Sequence, residues 1–175
     1  MTHTLPHKVT ILIDEREHQP LEFSPSLRWW SPGRQCHFLR LCTQVQRIRT
    51  GDYALKGYEK ITLCERKGAW TEICSNLFTA DRPRFIAAFD RLAVETKHPI
   101  LLLDLPVRTR GNKYARNPEQ LLDGIFYEAT KRGISVLVVP PSTQRYRAGE
   151  WLFRLMWQYI YNDVLAYKPV HTEAS

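Results

Sequence analysis

The stretch GDYALKGYEKITLCERK, residues 51–67, determines the topology that we expect for the whole chain. Lys56 and Gly57 are a turn signal in its middle, since glycine tolerates the backbone conformations that tight turns require. Beyond the turn, Ile61 and Leu63 alternate with polar or small residues, which is the period-two pattern of a half-buried strand. The stretch therefore predicts a hairpin whose two ends meet at one edge of a β-sheet.

Three charged residues lie at the ends of this hairpin. Asp52 opens it, while Glu65 and Lys67 close it and, being two residues apart on a strand, project from the same face. Core packing does not explain such a group, because burying unpaired charges is costly. Two carboxylates suit a hard divalent cation such as Mg²⁺, which polarises a phosphodiester, and the lysine would orient water and stabilise the transition state. An ion-pair ladder on an edge strand is the alternative explanation.

The rest of the chain supplies further strands and helices, read from β-branched or apolar runs and from apolar residues at helical spacing. The expected strands are 8–14, 36–49, 98–105 and 134–140, of which the last two are buried, and the expected helices are 82–97, 117–133 and 143–161. Residues 19–33 contain three prolines and are expected to be irregular. This order favours an α/β fold with a mixed central sheet flanked by helices. We expect one domain over residues 1–168 and a flexible tail at 169–175.

Length and composition narrow the class of protein. The chain has 175 residues, of which 43% are hydrophobic and 25% charged, as is ordinary for one globular domain. No apolar run approaches the roughly 18 residues of a membrane helix, and no signal-peptide pattern opens the sequence, so we expect a cytoplasmic protein with no membrane partner. Four cysteines without a CxxC pair argue against a disulfide framework or a zinc site.

The positive charge is concentrated in two segments. The net charge is +7, and no acidic residue lies between Glu22 and Asp52, a segment with five arginines and the pair Trp29-Trp30. The segment VRTRGNKYAR, residues 107–116, is also free of acids. Arginine binds phosphate and aromatic rings stack on unpaired bases, so both segments favour DNA as a partner. A solvated basic surface with the tryptophans in the core is the alternative. The expected DNA contacts are Arg47, Arg49, Arg108, Arg110, Lys113 and Arg116.

Three motifs in order carry a family resemblance. IDERE (13–17), GDYAL (51–55) and CERKGAWTEI (64–73) resemble the nuclease domain of the XPF family of structure-specific endonucleases, within the PD-(D/E)XK superfamily. The segment Pro20-Leu21-Glu22-Phe23 resembles the small bacterial and phage members of that family. The similarity extends from about Lys8 to about Tyr161, because the later helices and strands also come in the expected order.

The resemblance implies a restriction-endonuclease-like fold and a role for each matching residue. Asp52 and Glu65 would bind Mg²⁺ or Mn²⁺, with the carbonyl of Arg66 as a third ligand, and Lys67 would be the catalytic lysine. The remaining matching residues would support the site: Asp14 near the metal, Arg16 and Glu17 around it, and Arg66 beside it or against DNA. The implied activity is metal-dependent cleavage of flap, fork or junction DNA in repair, recombination or phage DNA processing.

One motif position departs from the family. Where the family has an aspartate separated from the lysine by three residues, this chain has Thr71, followed by Glu72. We expect Thr71 to cap the N-terminus of the following helix, since threonine is a favourable N-cap residue. Glu72 is a second candidate for the missing acid, shifted by one position.

The resemblance also bears on partners. Larger relatives carry a tandem helix-hairpin-helix module that grips DNA, and this chain has none, so affinity would come from the basic segments, from a homodimer or from another protein. Trp151, Phe153, Trp157 and Tyr159 give the last helix more apolar surface than one stripe needs, which suggests a subunit interface beside core packing. A non-catalytic DNA-binding or partner-binding module is the alternative function. The intact Asp52, Glu65 and Lys67 favour the enzyme.

Overall fold

The computed structural model describes residues 6–31, 34–105, 118–140 and 145–165. The strands in chain order are β1 (Lys8–Asp14), β2 (Ser26–Trp30), β3 (Cys36–Gln46), β4 (Tyr53–Leu55), β5 (Thr62–Lys67), β6 (His98–Asp104) and β7 (Ser135–Val139). The helices are α1 (Trp70–Phe78), α2 (Arg82–Glu95), α3 (Pro118–Thr130) and α4 (Arg145–Ile160), and a π-helical turn, Tyr161–Leu165, follows α4. The predicted tail at 169–175 lies outside the described residues.

The described strands form one seven-stranded sheet in the order β2-β3-β1-β4-β5-β6-β7. β1 and β3 are parallel, as are β5, β6 and β7, while β4 runs antiparallel between β1 and β5. The carboxyl ends of β1, β3, β5, β6 and β7 therefore all lie at one edge of the sheet, here called the carboxyl edge. The prediction of a mixed central sheet flanked by helices is confirmed.

The sheet is covered differently on its two faces. On one face, here called the α4 face, side chains of β1, β2, β3 and β6 pack with Phe153, Met156 and Trp157 of α4. On the other, the α1–α3 face, Leu12, Leu63, Leu101 and Leu103 pack with side chains of the first three helices. Alternate residues of a strand point to opposite faces, so each strand contributes to both layers. The buried cluster on the α1–α3 face contains no residue of β2 or β3.

The sequence predicted that residues 19–33 are irregular, and this prediction is wrong in part. Ser26–Trp30 forms β2, which pairs antiparallel with β3 in the register Leu27↔Leu39. Leu27 and Trp29 alternate into the core of the α4 face, and this burial stabilises the strand. Pro25 lies just before the strand, outside the paired register, where it costs no ladder hydrogen bond.

The segment 134–140 was predicted as a buried strand, and this is wrong in part. β7 is the last strand of the described sheet and pairs with β6 alone, so its side chains are only partly covered. Val138 is 51% exposed although Val139 is buried. An apolar run alone does not distinguish a central strand from an edge strand, whereas β6, with the same kind of sequence, is central and buried as predicted.

The last helix buries more of its aromatic surface than one stripe predicts. Phe153 and Trp157 are fully buried in the core and stack with ring centroids 5.9 Å apart. Tyr159 stacks on His98 at 4.3 Å, and Trp151 is 39% exposed. Core packing therefore accounts for most of the surface from which a subunit interface was predicted. No helix among the described residues combines the length and the apolar character that crossing a membrane requires.

Candidate active site

Asp52 is placed by a close backbone contact just before β4. Its amide donates a hydrogen bond to the Cys64 carbonyl oxygen at 2.7 Å, which joins the two ends of the predicted hairpin. Gly51 precedes it with φ +82°, and a Cβ at position 51 would lie 2.9 Å from the same carbonyl oxygen. Glycine is therefore required here both for the left-handed backbone and for the space.

The Asp52 carboxylate is held against β5 and next to β1. Its Oδ2 accepts a hydrogen bond from the Arg66 amide at 2.7 Å. The Asp52 carbonyl accepts a second bond, from the Asp14 amide at 2.9 Å. These contacts fix the aspartate at the carboxyl edge, between the ends of two parallel strands.

Glu65 and Lys67 project from the same face of β5, as predicted. Lys67 Nζ lies 2.9 Å from Glu65 Oε1 and 2.7 Å from Glu72 Oε1. Lys67 is 8% exposed, so its charge is largely removed from water and depends on these two carboxylates. Glu72 lies in the first turn of α1, and this helix brings it back over the end of β5.

The prediction that Thr71 caps this helix is wrong. α1 begins at Trp70 and its N-cap position is Ala69, which makes no side-chain cap hydrogen bond. Ile73 donates to the Ala69 carbonyl at 3.2 Å, so the N-cap lies two residues earlier than predicted. Thr71 is exposed inside the helix, and the neighbouring Glu72 is the residue that contacts the lysine.

The electrostatics of these groups are strongly coupled. Burial and the Glu65 carboxylate raise the pKa of Asp52 to about 7, although the Arg66 amide and Lys67 favour its charged form. Burial lowers the pKa of Lys67, but Glu65 and Glu72 outweigh it and hold that pKa above its usual range. Two neighbouring carboxylates that resist simultaneous ionisation form an environment that a cation would stabilise.

The acidic cluster after β1 organises the chain around the site. The Asp14 carboxylate accepts hydrogen bonds from the backbone and side chain of Arg16 and from the Ile48 amide at 2.6 Å. Burial opposes ionisation of Asp14, but these bonds keep its pKa below the usual value. Asp14 thus ties the loop after β3 to the end of β1.

Arg66 connects three segments of the carboxyl edge. Its guanidinium pairs with Asp104 at 2.6 Å and with Glu17 at 3.3 Å, and it donates to the Gln19 carbonyl at 2.9 Å. The side chain is only 9% exposed. Arg66 therefore holds β5, β6 and the segment after β1 together.

The acids and the lysine open into a groove of about 750 Å³. Asp52, Glu65, Lys67 and Glu72 line it, together with Arg16, Glu17 and His18. α2 contributes Arg84 and Arg91, which were not predicted as site residues. Arg84, Ala88 and Arg91 are spaced to lie on one face of the helix, but the sequence alone does not show that this face lines the groove.

The predicted DNA-binding residues fall into three groups. Arg49 lines the groove and lies 3.4 Å from Glu95. Arg47 is exposed and pairs with Glu15 at 3.2 Å, away from the groove lining. The other four, Arg108, Arg110, Lys113 and Arg116, lie outside the described residues.

The side chains of the site could hold a magnesium-like ion through two carboxylates. Within the described residues, no three side chains of the types His, Cys, Asp and Glu come together as a ready-made metal cluster. Magnesium is commonly bound by one or two carboxylates, with water and substrate phosphates completing its shell. Asp52 and Glu65 supply such a pair at the wall of an open groove.

Comparison with known proteins identifies structures that share this fold. The sequence matches no protein-family model, and no curated protein sequence matches it significantly. The fold, however, is restriction-endonuclease-like, and solved XPF structures share it. The structure of XPF from Aeropyrum pernix superposes with a TM-score of 0.54 at 15% identity, over 95% of this chain and 67% of that one. XPF from Aeropyrum pernix in complex with DNA gives 0.51 at 16% identity, over 86% and 62%.

These comparisons confirm the resemblance to XPF nucleases at the level of the fold. The chain spans about two thirds of the length of the XPF chains, or somewhat less. At this identity the roles of individual residues rest on the geometry described above.

Gly51→Ala should destabilise the protein more than Gly57→Ala does. Both glycines have positive φ, which costs an alanine about 1–2 kcal/mol, but position 57 has open space whereas position 51 faces the Cys64 carbonyl. The clash should add about 1–3 kcal/mol at position 51. Urea unfolding of the two variants measures the difference, and equal losses would contradict the close approach.

The metal-free protein should lose stability as the pH rises from about 4 to about 7. The Asp52 pKa is raised to about 7 in the folded state, so the folded state retains a proton that the unfolded chain releases near pH ~4. Asp52→Asn should flatten this part of the profile, while Asp123→Asn, an exposed acid on α3, should not. The test is to measure melting temperatures across this pH range in the presence of a chelator. Identical profiles for the wild type and Asp52→Asn would contradict the raised pKa.

Proposed function

We propose that this chain is a Mg²⁺- or Mn²⁺-dependent DNA endonuclease that hydrolyses phosphodiester bonds. The observation that carries the proposal is the convergence of Asp52, Glu65 and Lys67 at one wall of an open groove. The three residues come from two segments of the chain, and the Arg66 amide bond to Asp52 joins them. Such a group serves no packing purpose, because it costs desolvation without filling the core.

Asp52 and Glu65 are the residues that would hold the cation. A divalent ion bound there would polarise the scissile phosphate and offset charge on the attacking and leaving oxygens. The pKa of about 7 for Asp52, raised by burial and by Glu65, supports this assignment, since a nearby positive charge would relieve the repulsion between the two acids.

Lys67 would act as a charged donor. Burial lowers its pKa, but the Glu65 and Glu72 carboxylates outweigh burial and keep it protonated at neutral pH. An ammonium group held by two carboxylates is better suited to orienting water and stabilising negative charge on the phosphate than to removing a proton. Glu72 would position this ammonium, in place of the aspartate expected at position 71.

The walls of the groove suit a polyanion. Arg16, Arg49, Arg84 and Arg91 line it together with the acidic pair. Guanidinium groups contact phosphates through paired donors, so they would place the backbone across the carboxylates. The fold shared with XPF structures, one of them in complex with DNA, supports DNA as the substrate. We extend this to flap, fork or junction DNA and to a homodimer as the working form.

Cleavage should require both the metal and the central residues. Asp52→Asn, Glu65→Gln and Lys67→Met should each lower the cleavage rate at least ~100-fold, because each removes several kcal/mol of transition-state stabilisation. The assay uses labelled flap, fork, four-way-junction and duplex DNA with Mg²⁺, Mn²⁺ or a chelator. Asp123→Asn on α3 and Lys131→Met just after this helix are matched controls that should cut normally.

Other outcomes of the same panel contradict the proposal. Binding of DNA without cutting by any variant or metal would favour the non-catalytic module instead. Cutting that persists in all three central variants would place the active site elsewhere. Circular dichroism spectra of each variant exclude unfolding as the cause of a loss.

Glu72 should affect the rate through the charge of Lys67. Glu72→Gln keeps the size and one acceptor oxygen but removes the charge that helps raise the Lys67 pKa, so the alkaline limb of the pH–rate profile should move to lower pH. The rate at neutral pH should fall by about 10–100-fold, as for other residues that orient a catalytic group. Asn76→Ala, on the same helix and in the same groove, is the control. An unmoved alkaline limb would contradict the positioning role.

A further inference from the structure

Two strands expose a continuous basic and aromatic surface. Leu27, Trp29 and Leu39 of β2 and β3 point into the core of the α4 face. The alternate residues therefore point to the α1–α3 face, where the buried cluster contains no β2 or β3 side chain. We call these outward residues, with the adjacent end of β1, the β2–β3 surface: Lys8, Ser26, Arg28, Trp30, Phe38 and Arg40.

Both aromatic rings on this surface are exposed. Trp30 is 61% and Phe38 69% exposed, which is unusual for such large apolar side chains. The register pairs Arg28 with Phe38 and places Arg40 beside Lys8, so cations lie next to the rings. Neither β2 nor β3 contains an acidic residue.

We propose that the β2–β3 surface binds single-stranded DNA. A sheet face with exposed rings and neighbouring guanidinium groups combines base stacking with phosphate contacts, which is how proteins bind unpaired strands. Duplex DNA keeps its bases stacked inside the helix and would leave the two rings without partners. A second copy of the chain would bring identical positive charges together, so charge complementarity favours a polyanion.

The position of this surface connects it with the candidate active site. β3 runs from Phe38 and Arg40 to the carboxyl edge, where Gln46 pairs with Asp14 and the Asp14 amide contacts Asp52. Arg40 to Gln46 spans roughly 20 Å of extended strand. An unpaired arm held on the surface would therefore lie on the sheet face that carries Glu65. The inference rests on the proposed function, since it names the single-stranded part of the substrate as the feature that this surface recognises.

The test is a binding measurement without metal. A fluorescent oligothymidylate of about 15 nucleotides, within the usual site sizes, is titrated with the protein in a chelator. Trp30→Ala and Phe38→Ala should each weaken binding roughly tenfold, whereas Tyr127→Ala, an exposed aromatic next to a lysine on α3, should not. Trp30→Phe should restore binding and abolish the part of tryptophan quenching that comes from stacking on Trp30.

The contribution of the basic residues is measured separately, through the salt dependence of binding. The double variant Arg28→Gln, Arg40→Gln should reduce the salt dependence of binding, with a slope lower by about 1.4, because two phosphate contacts are lost. An RNA oligomer and a duplex of the same length serve as competitors. A protein that binds the duplex as tightly as the single strand, or the Ala variants as tightly as the wild type, would overturn the proposal.

Three further results distinguish this inference from a subunit interface and from the proposed function. Loss of the dimer in sedimentation by Trp30→Ala, with DNA binding unchanged, would make the surface an interface between copies and overturn the proposal. If the protein cuts no DNA but its DNA binding depends on Trp30, the nuclease function is contradicted and the binding surface is supported. If the protein cuts DNA but neither Trp30 nor Phe38 contributes to binding, the nuclease function is supported and the binding surface is contradicted.

Discussion

The hydrogen bonds around Asp52 are the constraint on which the rest of the site depends. The Asp52 amide donates a hydrogen bond to the Cys64 carbonyl, and the Asp52 carboxylate accepts one from the Arg66 amide. Both the backbone and the side chain of Asp52 are therefore fixed to β5. This closure leaves no room for a side chain at position 51, which explains the glycine. Because β5 also carries Glu65 and Lys67, one hairpin assembles both acids and the lysine without help from a distant domain.

The charge of Lys67 is compensated by neighbouring carboxylates, whereas the charge of Asp52 is not fully compensated, and this difference determines the chemistry that the site can support. Lys67 has two carboxylates within hydrogen-bond distance, whereas Asp52 is buried beside Glu65, and burial and Glu65 together raise its pKa. The lysine is thus kept charged while the aspartate is held ready for a positive partner. In a fold shared with XPF structures, this imbalance is the physical basis for proposing a cation between the two acids.

The order of the strands divides the sheet into a half that carries the candidate active site and a half with an exposed face. α1, α2 and α3 pack over β4, β5 and β6, and α1 and α2 contribute residues to the groove walls. β2 and β3 lie on the other side of β1. The strands β2 and β3 are held by the core under α4, so their opposite face is free to present charged and aromatic side chains. The paired strands β3 and β1 thereby link the exposed strands with the carboxyl edge.

Much of the site followed from the sequence alone, because its central geometry is local. Period-two alternation, a turn at Gly57 and the two-residue spacing of Glu65 and Lys67 are enough to predict a hairpin with both acids at one end. The contact of Glu72 with Lys67, the turning of Arg84 and Arg91 into the groove, and the edge position of β7 were decided only by the tertiary structure. Each of these depends on how a helix or strand is oriented against residues from another element, and periodicity along one segment carries no information about that orientation.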